Sequence, residues 1–323
     1  MKTCLCFICD EGYLFPTLVA AKQAVDHSDG LIDVIIYLNK NVLDYASRRR
    51  LEELSGCQIK SIPDWIETLI DESVPDGFFK THVNKFALYR LFLGHLVGDD
   101  YDRAIYCDGD VQIRRSLTEL IDFPLEPGKV GVVPDWVAHH SADGMPRSEE
   151  YRRYLAGLGF EPKHWGQYFN SGVMVAAPAT WRDIGPKALQ FLAAKPEACR
   201  LHDQSALNHV CIDRTVALPI RYNFLRQYME LPAYRQIDPV IVHYVGKLKP
   251  WDGPFKPWTR KEFQCYVEMY LNLPGAGVLW KRKSWRTRFI HHLKDLVKSS
   301  EYKDRSYSRI INKIVYDRNC WDH

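Results

Sequence analysis

Short apolar runs, each closed by turn residues, recur through the first 250 residues of this 323-residue chain. CLCFIC, LIDVIIYL, CQIKSI, RAIYC, KVGVV, SGVMVAA, TVALPI and PVIVHYV read as strands, being of strand length and rich in β-branched and aromatic residues. Between several of them lie helical patterns. Residues 14–27 (LFPTLVAAKQAVDH) follow the first strand directly, and residues 83–96 (VNKFALYRLFLGHL) carry apolar side chains at helical spacing. Strands alternating with helices predict an α/β fold, a mostly parallel central sheet flanked by helices. In such sheets ligands bind beyond the carboxyl ends of the strands. Asp10 to Tyr13 follow the first strand, Asp108 to Asp110 follow RAIYC, Asp135 follows KVGVV, and His243 with Gly246 follow PVIV. One shared pocket at that edge is the expectation.

The chain is 46% hydrophobic and 26% charged, as expected of a globular protein,. No apolar run approaches the roughly 18–20 residues that cross a bilayer. The N-terminal stretch MKTCLCFICDEGY is cut off by Asp10 and Glu11, too soon for a signal peptide. It reads as a first buried strand, and the protein as intracellular. The nine cysteines are odd in number and scattered, unlike a disulfide framework. Cys6 and Cys9 form a CxxC near Cys4, but no second ligand pair stands at zinc spacing, so they read as small core hydrophobes.

Two carboxylates one residue apart repel each other, and neither builds a core. In YCDGDV, Asp108 and Asp110 are i and i+2 of an extended chain and point the same way. The glycine between them is expected to let backbone approach a bound group. Such a pair suits a hard divalent cation, Mg²⁺ or Mn²⁺, which also takes phosphate oxygens. As a bare pattern DxD is common, and its place after a buried strand is what distinguishes this one. HYVGKLKPW (residues 243–251) supplies an imidazole at a strand end, a glycine and lysines in one loop. Imidazole can complete a cation's coordination, and lysine suits a phosphate oxygen. Taken alone, a loop histidine beside solvated lysines describes it better.

With YFNSGVMV (residues 168–175) and DQSALN (203–208), these stretches make the chain resemble glycosyltransferase family 8, which includes bacterial lipopolysaccharide galactosyl- and glucosyltransferases. The resemblance covers about the first 255 residues, and HxxGxxKPW is its most specific part. It implies a GT-A fold with a Rossmann-like nucleotide-binding half, a UDP-sugar donor, and Mn²⁺ (or Mg²⁺) held by Asp108, Asp110 and His243. It further implies that Gly246 and Lys249 contact the diphosphate, that Tyr13 stacks on uracil, and that Asp10 accepts from base or ribose. Gly12 stands where family members often carry asparagine, which removes one side-chain contact. Arg90, Asp135, Asn170, Asp203 and Gln204 are implied to hold the donor sugar.

Family members retain anomeric configuration. Retaining hydrolases use a carboxylate nucleophile, whereas the residue implied near the anomeric carbon is Gln204, an amide. Front-face substitution is therefore favoured, with Asp203 as a covalent nucleophile the alternative.

Residues 279–323 hold 12 Lys+Arg against 5 Asp+Glu, leaving 31 against 35 in the rest. Trp285, Phe289, Leu293 and Leu296 fall on one helical face of this basic tail, a pattern of membrane-surface helices. A helix docked on the protein's own core has the same pattern. The division expected is a catalytic domain over 1–258 and a basic, aromatic helical extension over 259–323. Nucleic acid is not an expected partner, because the body is acidic and no reading motif occurs. The reading expected is a transferase moving galactose or glucose to a saccharide acceptor, a lipid-linked one, from the cytoplasm or the inner membrane face. Its rivals are a sugar nucleotidyltransferase, which normally has a basic Gly-rich loop where this chain has DEGY, and a non-catalytic nucleotide-sugar or membrane-binding protein.

Overall fold

The structure is a computed structural model and describes residues 1–301 apart from 40–41, 75–84, 143, 146, 232–233, 235, 255–257, 274–278 and 282; side chains are described up to residue 294. All eight expected strands form: β1 (Thr3–Ile8), β2 (Ile32–Leu38), β3 (Gln58–Ser61), β4 (Arg103–Cys107), β6 (Val130–Pro134), β7 (Phe169–Ala176), β8 (Thr215–Ala217) and β10 (Ile241–His243). TVALPI is a strand only over its first three residues, since Pro219 cannot donate to a ladder and leads into a 3-10 turn at Ile220–Asn223,. Two further strands, β5 (Val111–Ile113) and β9 (Phe224–Leu225), have no signal of their own in the sequence.

Seven strands make the main sheet in the order β3-β2-β1-β4-β7-β6-β8. β7 runs antiparallel to β4 and β6, and the other pairs are parallel. The alternation of side chains along β1 divides the core. Leu5 and Phe7 face the helix Leu14–Asp26, with Phe15 and Leu18. Cys4 and Cys6 face the other layer, with Ile66, Leu88 and Trp181. The cysteines behave as apolar residues, and burial pushes the Cys9 thiol up to about 12.

This topology gathers the site. β1, β4 and β6 end at one edge, and antiparallel β7 begins there, so Asn170 pairs with Val133 and the Gly172 carbonyl accepts from Asp108 N (2.8 Å). The small sheet β5-β10-β9 does the rest. His243 pairs antiparallel with Val111, and Tyr244 N donates to Asp110 O (3.0 Å), which brings β10 beside the Asp108–Asp110 turn.

The helix Arg260–Asn272 starts from a capping box of Thr259 and Glu262, packs against the helix Leu14–Asp26 and the turn Pro250–Asp252, and adds Tyr266 and Met269 to the core on that side,. Among the described residues, no helix is long and apolar enough to cross a membrane.

Candidate active site

Asp108, Asp110 and His243, distant in sequence, each place a ligand atom within 4.8 Å of the others. Asp108 Oδ1 accepts from the Tyr106 hydroxyl (2.7 Å) and pairs with Arg90 Nη1 (3.0 Å), leaving Oδ2 turned to His243 Nε2 at 3.6 Å. Asp110 Oδ2 accepts from Lys249 Nζ, leaving Oδ1 turned to His243 Nε2 at 3.1 Å. His243 is 2% exposed. Two carboxylate oxygens and one ring nitrogen thus face a common point.

Gly109 lines the cleft described below, as its place between the aspartates suggests, and packing constrains it as well. A Cβ there would lie 2.3 Å from Thr17 Oγ1, so the residue is small to admit the first helix, whose Thr17 donates to Tyr13 O. Gly172 is the glycine of close approach. A Cβ there would lie 2.2 Å from His243 Cε1 and 2.8 Å from Asp108 Oδ2.

Burial disfavours every charge in this cluster, and pairing decides the outcome. Burial opposes ionisation of Asp110, but Lys249 and His243 overcome it and hold the carboxyl far below the usual carboxylate range. Burial also works against charge on Arg90, where Asp108 and Asp203 more than offset it. Asp203 and Asp135 go the other way: desolvation raises both, against the pull of Arg90 on Asp203 and of the Val137 N–H on Asp135. Four carboxylates, Asp108, Asp110, Asp135 and Asp203, share the network with two fixed cations, Arg90 and Lys249. The oxygen and imidazole donors of Asp108, Asp110 and His243 suit Mg²⁺ or Mn²⁺.

Next to this cluster lies a second, amide-rich one. Asn170 Nδ2 donates to Asp135 Oδ2 (3.0 Å) and Gln204 Oε1 (3.2 Å). Arg90 Nε stands 3.1 Å from Asp203 Oδ2, an ion pair without the angle of a hydrogen bond. The structure therefore brings buried Arg90, Asp135, Asn170 and Asp203 and half-buried Gln204 together, linked through Ser171, whose carbonyl accepts from Arg90 Nη1 (3.2 Å) and whose N–H donates to Gln204 Oε1 (3.2 Å). Arg90 sits in the 3-10 turn Arg90–Phe92 between Lys85–Tyr89 and Leu93–Val97, so the expected helix is broken there, and residues 83–84 lie outside the described residues.

Asp10 and Tyr13 line an open cleft together with Arg90, Asp108, Gly109 and Asp110. Asp10 Oδ1 accepts from Tyr13 N (2.8 Å), and the Tyr13 ring meets Trp251 edge-on at 5.6 Å. Gly246 is exposed with φ +98°, a conformation suited to glycine,. Lys249 lies inward of it, bound to Asp110 and to Tyr244 O (2.7 Å).

Two features escaped the sequence. Asn223 is fully buried, 2.9 Å from His243 Nδ1 and 2.9 Å from Asn170 Oδ1. An asparagine before a two-residue strand carries no signal of that role. The second is a strap from the C-terminal segment. Trp280 stacks on Phe15 (5.0 Å) and donates to Trp251 O (3.2 Å), Lys281 pairs with Glu11 (2.8 Å), and Lys283 Nζ donates to buried Asp252 Oδ2 (3.0 Å). It ties the loop after β1 to the loop after β10. Beyond it the helix Trp285–Glu301 carries Trp285, Phe289 and Leu293 exposed at 66%, 55% and 47%; the Leu296 side chain lies outside the described residues.

In shape the protein is close to the galactosyltransferase LgtC, solved in complex with donor and acceptor sugar analogs (TM-score 0.65, 23% identity, 88% of this chain and 99% of that one). That likeness defines the architecture as a GT-A fold. The sequence profile of Glycosyl transferase family 8 matches residues 4–262, and the chain belongs to that family; it is a glycosyltransferase. General stress protein A of Bacillus subtilis (strain 168) is 27% identical over 255 residues, 73% of this chain and 82% of that protein. Lipopolysaccharide 1,2-glucosyltransferase of Escherichia coli (strain K12) is 29% identical over 183 residues, 53% of this chain and 51% of that protein.

Proposed function

We propose that this glycosyltransferase moves a hexose, galactose or glucose, from a UDP-sugar to a saccharide acceptor, retains the anomeric configuration and depends on Mn²⁺. The observation that carries the reading is the convergence of Asp108 Oδ2, Asp110 Oδ1 and His243 Nε2 on one point. These residues would hold the cation, which when bound supplies Lewis-acid stabilisation of charge on the diphosphate. Asp10 and Tyr13 receive the uridine in the cleft, and Gly246 and Lys249 take the diphosphate, Lys249 by exchanging part of its contact with Asp110 for a phosphate oxygen. Arg90, Asp135, Asn170, Asp203 and Gln204 read the sugar hydroxyls, a pattern that rejects analogues lacking them.

In the step itself the bond from anomeric carbon to the β-phosphate oxygen breaks, the bond to the acceptor oxygen forms on the same face, and the acceptor's proton passes to the departing phosphate. Gln204 Oε1 already accepts from Ser171 N (3.2 Å) and from Asn170, which supports a positioning part for it. Asp203 is paired with Arg90, which lowers its worth as a nucleophile,.

The similarity to a lipopolysaccharide 1,2-glucosyltransferase supports a lipid-linked glycan as acceptor. The exposed aromatic side chains and basic residues of Trp285–Glu301 support attachment of the 259–323 extension to an anionic membrane, with the 1–258 body working at its cytoplasmic face,. The test is release of UDP from UDP-galactose and UDP-glucose with Mn²⁺ and with EDTA. Release that EDTA abolishes is expected. Pyrophosphate release would point to a nucleotidyltransferase, and binding without turnover to a non-catalytic protein.

A further inference from the structure

We propose that Asn223 is a positioning residue that fixes which nitrogen of His243 faces the cation and locks it to the amides reading the donor sugar. The proposal rests on the reading above for what the two ends bind, while the relay itself is a property of this chain. Its polarity follows from groups that can act in only one sense. Gly172 N–H can only donate, and it meets Asn170 Oδ1 at 3.0 Å,. The oxygen of Asn170 is thereby placed, and its Nδ2 points at Asp135 and Gln204. Ser171 N–H, also an obligate donor, meets Gln204 Oε1 at 3.2 Å, which places an acceptor where Asn170 Nδ2 needs one. The atom of Asn223 that lies 2.9 Å from Asn170 Oδ1 must then be its Nδ2, because two oxygens cannot share a hydrogen bond without a proton. Asn223 Oδ1 is left for His243 Nδ1 at 2.9 Å, so Nδ1 carries the hydrogen. The nitrogen turned to Asp108 and Asp110 is Nε2, 3.1 Å from Asp110 Oδ1, so it is Nε2 that gives up its hydrogen to present a lone pair when a cation takes its place between them,.

Each member of the relay is buried: Asn223 is 0%, His243 2% and Asn170 7% exposed. With both ends of Asn223 used, turning its amide over would set donor against donor at His243 and acceptor against acceptor at Asn170. One side chain therefore fixes the cation ligand and the sugar-reading amide together.

The experiment uses the full chain. Long-range ¹H–¹⁵N spectra of the metal-free protein, with the His243 signals assigned by their loss in His243→Gln, read the proton on Nδ1 without reference to metal or donor. Hydrogen on Nδ1 is expected, and a bare Nδ1 overturns the relay. Mn²⁺ affinity is then followed by the electron paramagnetic resonance of free Mn²⁺. Asn223→Ala is expected to weaken it about 10–100-fold, as loss of an outer-shell partner does. Asn223→Asp keeps an acceptor for Nδ1 but removes the donor to Asn170, so it is expected to recover Mn²⁺ binding while raising the KM for the UDP-sugar. Wild-type affinity in Asn223→Ala, or equal loss of affinity in both variants at unchanged melting temperature, overturns the proposal. A wild-type protein with hydrogen on Nδ1 that binds no Mn²⁺ would instead remove the functional reading and leave the relay standing.

Discussion

Adding one methyl group at Gly172 is expected to disable the site from beneath. In Gly172→Ala the new carbon would lie 2.2 Å from His243 Cε1, 2.6 Å from Nδ1 and 2.8 Å from Asp108 Oδ2, whereas ordinary contact begins at 3.4 Å. The ring must retreat by 3.4 − 2.2 = 1.2 Å. It has nowhere easy to go, being 2% exposed and held by Asn223 at 2.9 Å. A retreat of that size breaks the bond to Asn223 or tilts Nε2 away from the aspartates. Overpacking of this kind costs about 1–3 kcal/mol of stability. Misplacing a reacting or binding group by 1 Å costs up to about 10²-fold in rate. Thermal unfolding with and without Mn²⁺, alongside Mn²⁺-dependent UDP release, reads both effects. The variant is expected to keep most of its stability and lose Mn²⁺ stabilisation together with up to about 10²-fold in rate. A Gly172→Ala enzyme with wild-type Mn²⁺ dependence would refute the packing argument.

Other perturbations separate the remaining parts. Lys283→Met removes the ammonium from Asp252, whose side chain is fully buried while that of Lys283 is 35% exposed. A loss of about 1–3 kcal/mol and a raised donor KM are expected, read by urea unfolding and UDP-release kinetics. Burial opposes the ionisation of Glu262, but hydrogen bonds from the Thr259 hydroxyl and backbone hold its carboxyl below its ordinary 4.5. Its stabilisation is therefore present above pH 4.5 and lost as pH falls through the lower folded value,. Glu262→Gln is expected to flatten the acid limb of the stability profile, and Thr259→Ala to cost about 1 kcal/mol. Removing residues from Trp285 onward, which spares Trp280 and Lys283, is expected to abolish sedimentation with anionic vesicles. UDP release with a soluble acceptor should survive that truncation.

The main sheet was legible because its strands are long enough to show their composition, and because carboxyl-end placement follows from a parallel sheet. That logic placed Asp10, Asp108 and Asp135 at the edge of the main sheet, where the structure has them, whereas His243 reaches the same place from the separate sheet β5-β10-β9. β5 and β9 are three and two residues long and take their form from β10, so no pattern marks them. The reversed direction of β7 was also hidden, since a buried strand reads the same either way, yet it is what delivers Asn170 and Gly172 to the edge. Gly109 shows the limit of local reasoning: its place beside the cleft follows from its neighbours in sequence, but the contact with Thr17 that also demands a glycine comes from another element. Asn223, Asp252 and Trp280 act through partners far along the chain, which spacing does not encode.

Whether Asp108, Asp110 and His243 bind one cation together is read most directly by anomalous scattering from a crystal grown with Mn²⁺ and UDP. A single Mn²⁺ peak within about 2.0–2.3 Å of an oxygen of each aspartate and of His243 Nε2 is the expected result. A peak held elsewhere, or His243 Nε2 turned from both carboxylates with the metal bound, would contradict the account.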